Sequence, residues 1–141
     1  MKGLKQHKYD LAYMKLAVEW SNLSYAKRMQ VGAIIVKDQQ IISDGFNGMP
    51  SGMDNCCEDD QFKTKSEVLH AEANAILKCA RHGKSCEGAT LYITLSPCQD
   101  CAKLIYQAGV KRVVYLEEYR YGNGLDFLEE VGIETEKITM K

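Results

Sequence analysis

The sequence has no run of 18 consecutive apolar residues, the length a bilayer-crossing helix requires, and so offers no membrane span. It has no excess of either charge: 18 Lys and Arg stand against 19 Asp and Glu, a formal net charge of −1. A surface that grips polynucleotide phosphates usually carries a basic surplus, so this balance favours a small substrate over nucleic acid. Internal repeats, low-complexity tracts and linker-like stretches are also missing, which points to one unit over residues 1–141. The first eight residues are basic but no apolar stretch follows them, which is not the pattern of a signal peptide. A cytoplasmic location is therefore expected, where thiols stay reduced. The six cysteines then read as metal ligands, catalytic groups or buried thiols before they read as disulfides.

What is present is an ordinary globular composition, 45% hydrophobic and 26% charged, in a chain long enough at 141 residues to bury a core. Apolar residues at Leu11, Met14, Leu16, Ala17, Trp20 and Leu23 recur at helical spacing and predict a helix from Tyr9 to about Lys27. Val31–Val36 and Ile41–Phe46 read as an antiparallel strand pair around a turn at Lys37–Gln40. Asn47–Gly52 is a loop punctuated by glycine and proline, and the polar stretch Asp54–Glu67 reads as irregular. Further on, the patterning predicts helices at His70–Ala80, Cys98–Ala108 and Leu125–Glu130. It predicts strands at Ala89–Leu95 and Arg112–Leu116, with a weaker fifth at Ile133–Lys137. A hairpin followed by alternating helices and strands implies a three-layer α/β/α sandwich on a mixed sheet of about five strands.

Chemistry concentrates in His70-Ala71-Glu72, Pro97-Cys98 and Cys101, each at the predicted start of a helix. Ser96 is expected to cap the second of these helices, with Pro97 in its first position and Gln99 completing a capping box. Cys98 and Cys101, three apart, then share one face of the first turn, where the helix dipole favours thiolates. Two thiolates and one imidazole leave a tetrahedral zinc with an open position for water, the pattern of a catalytic site. Glu72 follows the histidine by two residues and is the expected proton carrier. Two other readings remain open here. The cysteine pair alone resembles a thioredoxin-type redox motif, and a structural zinc would draw a fourth ligand from Cys56, Cys57, Cys79 or Cys86.

His-x-Glu with Pro-Cys-x-x-Cys is the signature of zinc nucleobase deaminases. His70–Ile76 and Thr94–Lys103 resemble the two zinc motifs of the deoxycytidylate deaminase family, within the cytidine deaminase-like fold. The more particular likeness is Gly45-Phe46-Asn47-Gly48-Met49-Pro50-Ser51-Gly52, similar to that family's Gly-Tyr-Asn-Gly-x-Pro-x-Gly loop with Phe46 in place of tyrosine. The resemblance implies that Asn47 hydrogen-bonds the base or sugar, that the Ala71 N–H meets the pyrimidine carbonyl, and that the Ser96 carbonyl accepts from the exocyclic amine. It implies hydrolysis of deoxycytidine monophosphate (dCMP) to deoxyuridine monophosphate (dUMP) and ammonia, supplying thymidylate synthesis. It also implies a homo-oligomer, often a hexamer, activated by deoxycytidine triphosphate (dCTP) with Mg2+ and inhibited by thymidine triphosphate (dTTP). The phosphate needs a cationic partner, for which Arg28 and Arg120 are the candidates, with Tyr119 lining the base pocket. Rival readings are a tRNA adenosine deaminase, a deaminase of another small base or nucleoside, and a non-catalytic nucleotide-binding relative.

Overall fold

A computed structural model describes residues 3–120 and 122–140. Nine elements follow one another: α1 (Leu4–Ser21), β1 (Gly32–Lys37), β2 (Gln40–Phe46), α2 (Ala71–Arg81), β3 (Thr90–Leu95), α3 (Gln99–Gln107), β4 (Arg112–Glu117), α4 (Gly124–Glu130) and β5 (Glu134–Lys137). The five strands form one sheet in the order β2-β1-β3-β4-β5. β1 is antiparallel to β2 and to β3, whereas β3, β4 and β5 run parallel. The sheet is mixed, as expected.

Both faces of the sheet are covered. Ala33, Ile35, Leu91, Ile93 and Val113 face α2, α3 and α4, where they pack with Ala71, Ala75, Ile105 and Leu128. Ile34, Val36, Tyr92 and Val114 face the other way, against Met14 and Ala17 of α1. This cover on two sides explains why β1 reads as a continuous apolar run and why β3 carries Leu91, Tyr92 and Ile93 in succession. Gly32 permits the close approach of α1, since a Cβ there would lie 1.9 Å from the Ala17 carbonyl oxygen. The hairpin turn needs Asp38 and Gln39 in the left-handed region, at φ 52° and 62°.

Two expectations need correction. The first helix runs Leu4–Ser21 rather than from Tyr9 to about Lys27. Its opening turn is polar and Leu4 is 87% exposed, so apolar spacing gives no sign of it. It stops early because Asn22 and Leu23 close the last turn on the carbonyls of Glu19 and Trp20. Beyond them, the Ser24 hydroxyl accepts from the Ala26 N–H and donates to the Asn47 carbonyl. Residues 23–30 are thereby turned into a loop. Ser96, second, does not cap α3. The helix begins at Gln99, its N-cap residue is Cys98, and no side chain caps it. The Ser96 hydroxyl instead accepts from the Tyr119 N–H at 2.7 Å.

Candidate active site

The site is built where two helices begin. His70 is the extended residue before α2, and Cys98 holds the same place before α3, which puts Glu72 and Cys101 within the first turns. Several contacts fix α2 in place. Gly48 and Leu69 exchange backbone hydrogen bonds of 3.0 and 2.8 Å, tying the Asn47 loop to the residue before His70. The Asn74 side chain donates to the Phe46 carbonyl at 2.8 Å. At Gly45 a Cβ would lie 2.5 Å from the Ala71 oxygen, so only glycine lets β2 lie this close to the first turn of α2.

His70, Cys98 and Cys101 offer ligand atoms that all lie within 4.8 Å of one another, the one such group of three among the described residues. The His70 Nδ1 is 3.2 Å from the Cys101 Sγ and 3.7 Å from the Cys98 Sγ. Nitrogen and sulfur donors bound to one zinc at about 2.0 and 2.3 Å fall within such separations. The donor set therefore fits zinc in spacing and in chemistry. Hydrogen bonds from Cys101 and then His70 pull the Cys98 thiol down to about 4, so one sulfur is held as thiolate. The same bond to Cys98 raises His70, and it raises Cys101 together with burial. Glu72 is 3% exposed, and burial pushes its carboxyl up to about 7. A carboxyl so poised can both take and give a proton near neutrality.

A cavity of about 300 Å³ opens over these groups. His70, Ala71, Glu72, Ser96 and Cys98 line it, as do Asn47, Arg28 and Tyr119. Asn47 also works on the protein itself. Its Oδ1 accepts from the Val31 N–H at 2.9 Å and its Nδ2 donates to the Met29 carbonyl at 2.7 Å, which leaves one amide N–H and one lone pair for a ligand. Ala71 is the first residue of α2, so its N–H has no partner within the helix. Arg120 is exposed and is not among the lining residues. Glu58 and Thr64, which sequence reasoning missed, do line the cavity. They sit on a small excursion closed by bonds from Asp59 N to Lys63 O and from Lys65 N to Cys57 O, both 2.8 Å. Nothing in the polar stretch that carries them distinguishes them from solvated residues.

The remaining cysteines stand apart. Cys79 and Cys86 pack in the core, Cys57 is buried and Cys56 exposed; all six are unpaired. Among the described residues none of these four joins a three-ligand group, so a fourth zinc ligand is not at hand. The three-residue donor set without a fourth protein ligand, the buried carboxyl of Glu72 and the fold define a hydrolytic deaminase class rather than a redox dithiol or a closed structural zinc site.

Comparison with known proteins agrees. Residues 7–117 match the model described as the cytidine and deoxycytidylate deaminase zinc-binding region, and the chain belongs to that family. It is 36% identical to the deoxycytidylate deaminase of Enterobacteria phage T4, over 79% of this chain and 80% of the relative. It is 35% identical to that of Mycobacterium phage D29, over 78% of this chain and 95% of the relative. Among solved structures, the dCMP deaminase of cyanophage S-TIM5, in complex with dCMP and dUMP, superposes with a TM-score of 0.91. That structure is 48% identical, with 98% of this chain and 99% of that chain covered.

Proposed function

We propose that this chain hydrolyses dCMP to dUMP and ammonia. The observation that carries the reading is the convergence of one imidazole and two sulfurs on one point, with a buried Glu72 in the same cavity. His70, Cys98 and Cys101 would hold one zinc, which supplies Lewis acidity and lowers the pKa of the water the reaction consumes. Glu72 takes one proton from that water and delivers it to ring N3. The second water proton goes to the exocyclic nitrogen as the C4–N4 bond breaks, so oxygen stays on C4 and the amine leaves as ammonia. Burial keeps Glu72 away from bulk solvent, so the proton it takes is passed to the substrate.

The other lining groups orient the nucleotide. The Ala71 N–H would meet the pyrimidine carbonyl, the Ser96 carbonyl would accept from the exocyclic amine, and Asn47 offers its remaining N–H and lone pair. Tyr119, pinned by its N–H to the Ser96 hydroxyl, borders the base. Arg28 is the phosphate partner that the cavity supports; Arg120 would have to reach in from outside its lining. The reading extends to a cytoplasmic homo-oligomer, a hexamer in family terms, regulated by dCTP with Mg2+ and by dTTP. The relatives named above support the substrate, since two of these deoxycytidylate deaminases are matched over 95% and 99% of their own length.

The test is the loss of cytosine absorbance on incubation with dCMP, deoxycytidine, cytidine monophosphate and a tRNA anticodon stem in parallel. Turnover of dCMP well ahead of the other three is expected. Turnover of the stem alone would move the chain to the tRNA deaminases.

A further inference from the structure

The excursion at residues 57–65 touches the cavity through two side chains, and both act on Arg28. Glu58 is 6% exposed, and its Oε2 accepts from the backbone N–H of Lys27 at 2.9 Å and of Arg28 at 3.2 Å. Thr64 forms an antiparallel bridge with Glu58 across the excursion, and its Oγ1 accepts from the Arg28 guanidinium at 3.3 Å. Arg28 is thus held at its backbone by one residue and at its head by the other. A carboxylate this deep is costly unless it is hydrogen-bonded, and one lining a cavity for an anion adds repulsion. Two consecutive backbone N–H groups aimed at one oxygen offset that cost. They also fix the loop after α1, from which an arginine with five N–H donors keeps four to offer.

We propose that Glu58 is a positioning residue for phosphate recognition: it holds the Lys27–Arg28 corner so that the Arg28 guanidinium faces the 5′-phosphate of the nucleotide. This rests on the dCMP reading above. Glu58 does not touch the reacting atoms. Its effect therefore falls on the phosphate-dependent part of catalysis and leaves the chemistry at C4 largely alone.

The experiment compares kcat/KM for dCMP and for deoxycytidine in the wild type, Glu58→Ala, Arg28→Ala and the double variant. Glu58→Ala is expected to lower the dCMP value about 10- to 100-fold, the range for losing a charge-assisted hydrogen bond, and the deoxycytidine value much less. The loss should appear mainly in KM. In the double variant the dCMP preference should equal that of Arg28→Ala alone, since one interaction has been removed twice. Glu58→Gln keeps an oxygen for the two N–H groups and should recover part of the preference; it also carries the test should the alanine variant fail to fold. Equal losses on both substrates, or additive effects in the double variant, overturn the proposal. Thermal stabilisation by inorganic phosphate gives a readout free of activity: the shift seen in the wild type should vanish in Glu58→Ala and in Arg28→Ala. A retained shift, or none in the wild type, refutes the role. A wild type that stabilises with phosphate yet leaves dCMP unconverted refutes the substrate reading instead.

Discussion

Gly124 opens α4, far in sequence from either zinc motif, yet it is packed against one of them. A Cβ built on it would lie 1.9 Å from the Pro97 carbonyl oxygen, 2.8 Å from the Pro97 carbonyl carbon and 3.0 Å from that of Cys98. All three are backbone atoms, so no side chain can swing aside. Relaxed contacts between such atoms lie near about 3.5 Å, so Gly124→Ala forces a displacement of more than about 1 Å. α4 is anchored by Leu128, which is fully buried in the core, so the displacement is expected to fall at least in part on the Pro97–Cys98 segment. Metal sites accept deviations of only about 0.2 Å in their bond lengths. A shift of this size at Cys98 is therefore expected to weaken zinc about 10- to 100-fold, the range seen when groups supporting a ligand are lost. An overpacking loss of about 1–3 kcal/mol in stability should accompany it. Competition with a chromogenic chelator measures the affinity. Gly48→Ala serves as the control, because its Cβ would meet nothing closer than the Phe46 Cε1 at 3.9 Å. A Gly124→Ala protein that melts earlier but binds zinc as tightly as the wild type would show that α4 gives way and that the coupling is wrong.

Two further outcomes follow from the buried carboxylates. Glu72→Gln keeps the shape of the side chain and leaves the three ligands intact, so zinc content should be unchanged while turnover falls at least about 100-fold; near-normal turnover would remove Glu72 from the proton path. Asp10 is fully buried, and although burial alone would raise its carboxyl, hydrogen bonds from Arg112, Tyr92 and Gln6 hold it well below the usual carboxylate range. Its contribution is complete above the unfolded value of about 3.9 and is lost as pH falls below it. Asp10→Ala removes the carboxylate that grips the Arg112 guanidinium at 2.8 and 3.0 Å and leaves that arginine to Glu134 and Glu136, so it should cost about 1–3 kcal/mol at pH 7 and show a flatter acid limb in urea denaturation. Parallel acid limbs for the two proteins would refute the assignment.

The zinc motifs are legible because their chemistry is local. A histidine, a glutamate two residues on and a cysteine pair three apart carry their geometry with them wherever a helix starts. The strands are legible too, since β1 and β3 are covered on both faces and so set Ala33–Val36 and Leu91–Ile93 in succession without polar alternation. Ser96 misleads because a serine before Pro-Cys-Gln satisfies the capping pattern, whereas the competing partner, the Tyr119 N–H, lies just beyond the end of β4. Glu58 left no trace at all. Its partners are backbone amides 30 and 31 residues away, and a carboxylate among other polar residues looks solvated until the chain is folded.

Placing two ligands at N-cap positions and the third in a first turn also bears on which ligands can serve. The first turns of α2 and α3 both present unpaired N–H groups and the positive ends of their dipoles to the same point. A divalent cation placed there with neutral ligands would meet that field unopposed. Two thiolates reverse the balance: hydrogen bonds from Cys101 and His70 already hold Cys98 as a thiolate, and a bound metal would draw the proton from Cys101, which is otherwise held as a thiol. Glu72 then adds a third negative group at a depth where it would otherwise hold its proton near neutrality. Cysteine at 98 and 101 thus answers the field of the helix ends as well as the metal, while the imidazole of His70 at the start of α2 relies on the two sulfurs across the site.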